Sequence, residues 1–341
     1  MQNKYDVIIV GGGPGGLTAA TELARNKKSV LLLEKNREIG PKVCAGGLTT
    51  KINQLGINLD IADYKFSTIK AHTNNKTYNV SLPKPFIATV DRRKFGQFLL
   101  QKALASGAEI HPNSLVTEIL PDFIIINNSK KIKYKHLIGA DGSLSAVRKY
   151  LGLKTKKVML SFQYLIPQEF TNLEVFLEAK IFGSGYGWIF PHHGYTSIGI
   201  GRDVKEIKRE SLKELCTNWC QKMNISLNQA REESWVINYD YQGWCFNNIF
   251  LIGDSAGFTS GLTGEGIYYA MVSGQEAAKK IVDPRYLCPH IKRILKKKSV
   301  QEKLLRLIQI SNQPLLNIYY KILLSLFNYR WTTRRIVDFF S

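Results

Sequence analysis

Along most of this chain short apolar runs alternate with polar or glycine-rich breaks, and the breaks delimit the elements. Residues 5–10 (YDVIIV) read as a buried strand, 11–16 (GGGPGG) as a tight turn, 17–26 as a helix and 29–33 (SVLLL) as a second strand. Residues 66–82 predict a hairpin around Asn74-Asn75, because short β-rich segments flank that turn pair. Residues 91–108 place Phe95, Phe98, Leu99 and Ala103 at helical spacing, and 115–119, 123–126 and 136–140 predict strands returning to the first domain. Residues 158–201 are strand-like again with a turn at His193-Gly194, 206–223 are helical, and 249–253 form another buried strand. From Gly266 onward the pattern is helical through most of the remainder.

This order predicts an α/β chain. A Rossmann-like nucleotide-binding domain is assembled from residues 1–65, 89–157 and 246–285, a β-sheet substrate domain is inserted as 66–88 and 158–245, and a helical segment covers 286–341. Within the opening turn Gly11 permits the sharp strand-to-helix reversal, Gly13 lets backbone approach a pyrophosphate, and Gly16 lets the helix pack on the strand, with Pro14 and Gly15 between them. The helix that follows points its positive end at the phosphates. Glu34, with Lys35 beside it, stands about twenty residues past the glycines, where a carboxylate accepts hydrogen bonds from ribose hydroxyls. A lone GxGxxG is a weak signal; the strand before it and the helix, strand and acid after it make it specific.

Length and composition narrow the class further. The 341 residues exceed one ordinary domain, and the 44% hydrophobic content suits a large globular core. Five cysteines at irregular spacing do not resemble a disulfide framework, and nothing before the first strand reads as a signal peptide, so a cytoplasmic location is expected. The net charge of +20 calls for an anionic partner. Residues 291–341 carry eleven Lys or Arg against Glu302 and Asp338, net +9, beside an apolar run broken by Asn317, Lys321 and Ser325. That run is too interrupted for a span of about 20 apolar residues. A basic amphipathic helix, packed on the protein's own body or lying peripherally on a membrane, accounts for it. No nucleic-acid motif is present.

Three further segments match what a flavin site requires. Residues 137–148 (LIGADGSLSAVR) run from an apolar strand into Asp141-Gly142, followed by Ser145 and Arg148. Residues 249–274 end a strand in Gly253-Asp254 and open a helix with Gly264, Glu265, Gly266 and Ile267; such an Asp can hold ribityl hydroxyls, and the free N–H groups of the helix can face the flavin ring. Residues 89–95 (TVDRRKF) place Arg92 where a cationic fork can meet the pyrophosphate, and Val116 joins the candidate cofactor contacts. In this order, over roughly residues 1–280, the chain resembles the FAD-dependent oxidoreductases of the p-hydroxybenzoate hydroxylase-like group.

Within that group two motifs resemble the geranylgeranyl reductase family. Residues 42–48 (KVCAGGL) are similar to its cysteine-and-glycine segment beside the flavin, which makes Cys44, Ala45, Gly46 and Gly47 cofactor contacts. Residues 186–191 (YGWIFP) are similar to its YxWxFP signature lining the prenyl channel. The resemblance implies FAD as cofactor and saturation of isoprenoid double bonds in a prenyl lipid, quinone or prenyl diphosphate.

An unactivated alkene is a poor hydride acceptor, so the protein must hold it within about 3 to 3.5 Å of the donor atom and exclude water. Tyr186, Trp188 and Phe190 alternate on a strand and so share one face, an aromatic wall suited to a prenyl chain. The second alkene carbon then needs a proton, for which Cys44 is the first candidate and Tyr186 the second. Cys216 and Cys220 lack the neighbours of a metal site and read as structural; no metal is expected. His192 and His193 read as part of a hairpin turn. No second strand–GxGxxG–helix unit exists for NAD(P)H, so NAD(P)H visits transiently or a reduced electron-carrier protein serves instead. A flavin monooxygenase and a non-catalytic flavin electron carrier share this layout and are the alternatives; a flavin-dependent halogenase, which YGWIFP partly resembles, ranks below them.

Overall fold

The computed structural model describes every residue except Asn74, Asn75, Lys208, Arg209, Tyr329 and Ser341, and of Asn328, Arg330, Trp331 and Phe340 only the backbone. The strand Lys4–Val10 lies between Val30–Leu33 and Lys130–Gly139, parallel to both, so that Val10 stands opposite Leu33 on one side and Gly139 on the other. Glu109–His111 and Ile249–Leu251 extend this parallel sheet at its two sides. Its apolar strands are continuous rather than alternating because both faces are covered. Val7 and Ile9 pack against one cluster with Leu17, Leu23, Phe95 and Met271, while Ile8 and Val10 pack against another with Ile124, Val147 and Ile291.

Two helices cross unusually closely over the first face. A Cβ on Gly274 would stand 2.3 Å from the Gly15 carbonyl oxygen, and one on Gly15 would stand 2.8 Å from that of Ala270. Glycine at both places lets the helices Pro14–Arg25 and Ile267–Val282 touch through their backbones. The two glycine-rich turns that open them, distant in sequence, thereby become neighbours.

The second sheet has seven strands in the order Arg231–Asn238, Val158–Ile166, Tyr195–Asp203, Tyr186–His192, Glu174–Phe176, Thr68–Thr73 and Lys76–Ser81. It is antiparallel except where Glu174–Phe176 runs parallel to Thr68–Thr73. The helix Leu212–Lys222 covers one face, burying Cys216, Trp219 and Cys220 against Phe162, Phe182 and Ile200. A small sheet, Ile87–Thr89 flanked by Gly47–Thr49 and Tyr64–Phe66, links the two larger ones.

Several boundaries differ from the expectations for local reasons. The turn expected at Asn74-Asn75 lies outside the described residues, although its flanking strands pair with Thr73 opposite Lys76. The helix expected over 206–223 begins only at Leu212, where Ser211 and Glu214 form a reciprocal capping box. The strand expected over 136–140 extends back to Lys130, because residues 130–133 pair antiparallel with Phe123–Ile126. Residues 158–201 are interrupted by a one-turn helix, Ala179–Phe182, ended by Gly183 at φ +61°.

The basic tail folds back on the body as the helices Pro289–Ile310, Gln313–Ser325 and Arg330–Phe340. Ile308, Leu316 and Tyr320 pack with Ala179, and Leu324 packs with Ala71 and Val80 of the second sheet. Part of the apolar stripe is therefore internal, while Ile310, Ile318 and Ile322 stay outside at 80%, 51% and 55% exposure. Among the described residues no helix is long and apolar enough to cross a membrane.

Candidate cofactor and substrate site

Backbone shapes the first part of the site. Gly11 sits at φ +109°, and a Cβ there would stand 2.3 Å from the Ala140 carbonyl oxygen; one on Gly16 would stand 2.1 Å from the Gly11 oxygen. Both glycines act by close packing. Gly13 has open space where a Cβ would go, which leaves the start of the Pro14–Arg25 helix accessible. The Glu34 carboxylate is fixed at the end of its strand by accepting from the Gly12 N–H at 2.8 Å and the Asn36 N–H at 2.9 Å. Lys35 beside it is exposed.

The second part comes from distant segments. Asp254 accepts from Lys42 Nζ at 3.0 Å, Thr259 Oγ1 at 2.5 Å and Ser143 Oγ at 3.4 Å. Burial pushes its carboxyl up, but the Lys42 charge and these hydrogen bonds outweigh burial and hold it below the usual carboxylate range. Asp141 instead caps the short helix Ala146–Tyr150 through the Ala146 and Val147 N–H groups, and burial raises its carboxyl. Gly142 donates its N–H to Ser255, and Arg148 reaches the carbonyls of Ser255 and Asp240, so this segment and the Gly253-Asp254 loop are tied together.

Between Pro14 at the first helix start, the 42–49 segment, the aromatic strand and the Asp254 loop lies a cavity of about 250 Å³. Of the candidate residues, Pro14, Cys44, Ala45, Gly47, Arg92, Tyr186, Trp188, Phe190, Asp254 and Gly264 to Ile267 line it. Gly46 backs the wall, Gly253 packs its turn against Ala270, and Val116 packs with Val10 and Leu33 on a segment whose Ser114 N–H bonds the Glu34 carbonyl; Val116, Gly11, Gly13, Gly15, Gly16, Glu34, Lys35, Asp141 and Gly142 all lie outside the lining of this cavity. Arg92 is 8% exposed, and among the described residues its Nε has no hydrogen-bond partner although the residue borders the cavity. A buried guanidinium with an unused donor beside an open helix N-terminus suits an anionic diphosphate. Together with the open approach at Gly13, this fits FAD.

Tyr186, Trp188 and Phe190 project to the same side of their strand, as alternation requires. Trp188 Nε1 donates to Ser197 Oγ at 2.9 Å, which donates to Gln163 Oε1 at 2.9 Å, and Gln163 Nε2 donates to Glu233 at 2.7 Å. This chain of hydrogen bonds fixes the indole in place. The Tyr186 hydroxyl donates to the Thr263 carbonyl at 2.7 Å, and burial raises its phenol strongly.

One functional feature was invisible in the sequence. His192 is buried; its Nδ1 lies 2.9 Å from Asp63 Oδ2 and its Nε2 3.0 Å from the Ala45 carbonyl oxygen. Gly46, at φ +77°, passes so close that a Cβ would stand 2.5 Å from the ring. His192 therefore clamps the 44–47 loop rather than merely sitting in a turn, which is confined to His193-Gly194. A His-His pair at a strand end carries no signal of this, because Asp63 and Ala45 are remote in sequence.

A second cavity, of about 560 Å³, adjoins the first. Its walls are apolar: Ile69, Ala71 and Val80 from the second sheet, Leu304 and Ile308 from the first tail helix, and Tyr320 and Leu324 from the next. Thr49, Ile87, Ser184, Gly185, Tyr186, Phe190, Leu262 and Thr263 border both cavities.

Residues 4–284 match the FAD binding domain family. The chain is 29% identical over 301 residues to the geranylgeranyl diphosphate reductase of Rhodobacter capsulatus, covering 81% of this chain and 74% of that one. It is 28% identical over 308 residues to the digeranylgeranylglycerophospholipid reductase of Methanocaldococcus jannaschii, covering 82% and 78%. A crystal structure of a geranylgeranyl bacteriochlorophyll reductase-like protein from Thermoplasma acidophilum superposes with a TM-score of 0.84 over 98% of this chain and 96% of that one, at 21% identity, a likeness of fold. The chain thus belongs to the FAD binding domain family, among its geranylgeranyl reductase-like FAD-dependent oxidoreductases.

Proposed function

We propose that this protein saturates isoprenoid double bonds in a prenyl lipid, quinone or prenyl diphosphate, with the prenyl chain in the larger cavity and its reacting bond at the shared wall. The observation that carries the reading is the adjacency of an apolar cavity of about 560 Å³ to the cofactor cavity, with Tyr186 and Phe190 bordering both. Relatives named for prenyl reduction support it.

In this reading Glu34 takes the ribose, Arg92 the diphosphate and Asp254 the ribityl chain, with the start of the Ile267–Val282 helix toward the ring. Reduced flavin supplies hydride when bound. NAD(P)H or a reduced carrier protein would be its reductant. The aromatic wall excludes water and holds the chain. Tyr186, whose hydrogen is engaged by Thr263, orients the flavin loop, and Cys44 flanks the reacting carbon. C44A is expected to slow turnover; an unchanged rate removes Cys44 from the reaction.

The outward Ile310, Ile318 and Ile322, with the exposed Arg306 and Lys321 beside them, supply a peripheral membrane contact next to the apolar cavity. Sedimentation with anionic but not neutral vesicles tests this. For the reaction itself, photoreduced protein is incubated anaerobically with geranylgeranyl lipids and the products weighed by mass spectrometry. Added hydrogen supports reduction, and a product formed only in air, carrying oxygen, overturns it.

A further inference from the structure

We infer that Lys298 is a positioning residue of the cofactor site, holding the loop that aims Asp254, an inference resting on the reading of Asp254 as the acid that takes the ribityl chain. Lys298 lies on the helix Pro289–Ile310, beyond the nucleotide-binding domain in the chain and outside the cavity lining. It is 3% exposed, yet its ammonium meets three acceptors. Nζ donates to the Tyr239 carbonyl at 2.8 Å and to the Thr259 carbonyl at 2.8 Å, and stands 3.3 Å from Glu302 Oε1. Together these use every hydrogen an ammonium has.

Both carbonyls lie beside a support of Asp254. Thr259 donates its hydroxyl to Asp254 Oδ1, and Asn238, next to Tyr239, donates its Nδ2 to the Asp254 carbonyl at 2.8 Å. One ammonium thus fixes the backbone behind both supports. Gln301, one turn further along the helix, accepts from Ser260 Oγ at 2.9 Å, and that oxygen accepts from the Leu262 and Thr263 N–H groups. The loop 259–263 is therefore seated on this helix at two successive residues. Burial opposes the charge and lowers the ammonium to about 8, with Glu302 resisting. An apolar side chain would fill this place at less cost if packing were its only purpose.

The same helix walls the apolar cavity with Leu304 and Ile308, so a structural role and a positioning role make different demands. A loosened helix would spoil prenyl binding. A misplaced Asp254 would spoil FAD binding and the approach of flavin to alkene.

The test uses full-length protein titrated with FAD. K298M keeps an unbranched apolar side chain and removes the donors; its FAD dissociation constant is expected to rise about tenfold. T259V breaks the bond to Asp254 but leaves the carbonyl to Lys298, and is expected to weaken FAD to a similar degree. Because both act through one bond, the double variant should lose about tenfold, not about a hundredfold. With FAD saturating and a geranylgeranyl lipid as substrate, kcat of K298M should fall while KM for the lipid stays within about twofold. An FAD affinity of K298M within about threefold of wild type, multiplying effects in the double variant, or a raised KM with unchanged kcat each overturns the assignment. If K298M does not fold, K298Q takes its place in the same cycle and the same outcomes decide. D254A binding FAD as tightly as wild type removes the reading of Asp254 and this inference with it, whereas D254A weakened beside an unaffected K298M overturns the inference alone. If the wild type reduces no prenyl lipid, the substrate reading fails separately and FAD binding still decides.

Discussion

The two adjoining cavities are built by opposite means. The cofactor cavity is bordered by contiguous turns in which backbone fills or vacates space: Pro14 at one helix start, in the turn that Gly11, Gly13 and Gly16 shape, and Gly264 to Ile267 at the other. The apolar cavity is walled by side chains from segments far apart in the chain, including Ala71, Val175, Leu262, Leu304 and Leu324. A backbone device tolerates almost no substitution. A wall of aliphatic groups tolerates many, provided volume is kept. Cofactor binding should therefore be fragile to single added atoms, and chain selection adjustable.

The sharpest way to break this contrast is G11A. It forces a side chain into φ +109° and against the Ala140 carbonyl. Denaturant unfolding should show a loss of roughly 3 kcal/mol or more, and the purified protein should lack the flavin absorbance. Next is A71F, which narrows the apolar cavity without touching the cofactor turns. It should retain FAD while reduction of long prenyl chains falls by at least about tenfold, equivalent to roughly 1.4 kcal/mol. Loss of FAD in A71F would mean that the cavities are not independent.

A smaller effect is expected where the two meet. Y186F removes the hydrogen bond to the Thr263 carbonyl and should cost about 1 kcal/mol in thermal or denaturant unfolding, with the flavin loop loosened. Smallest is an effect remote from both. Asp6 is hydrogen-bonded by Lys135 and Ser29, which hold its carboxyl at about 2 against the ordinary 3.8. Because the folded value is depressed, its contribution is fully present above the ordinary value and is lost as pH falls through the folded one. The difference in stability between wild type and D6N should accordingly shrink from about pH 4 to about pH 2 in acid unfolding.

Legibility in the sequence followed the same division. The opening strand, turn, helix and second strand could be read because each was specified by residues adjacent in the chain. The Gly253-Asp254 and Gly264-Glu265-Gly266 turns were equally explicit, and the alternation of Tyr186, Trp188 and Phe190 announced a common face. His192 was not legible, since its partners Asp63 and Ala45 lie 129 and 147 residues away. The packing of Val116 with Val10 and Leu33 was not legible either, because its strand could be read but not its neighbours. The tail helices were visible as helices. Their burial of Leu316, Tyr320 and Leu324 could not be foreseen, because the same apolar stripe suits a bilayer or a neighbouring sheet.

By itself, then, the amino-acid order determined where nucleotide-binding turns occur, which strands are buried on both faces, and that the tail is helical and basic. Steric limits on φ, side-chain periodicity and local capping act over a few residues and need no partner to be expressed. Tertiary structure alone decided that the two glycine turns meet at Gly15 and Gly274, that His192 clamps the loop carrying Cys44, and that the tail helices close an apolar cavity. Those outcomes rest on close approach and exclusion of water between segments remote in the chain, and a linear pattern does not encode such distances.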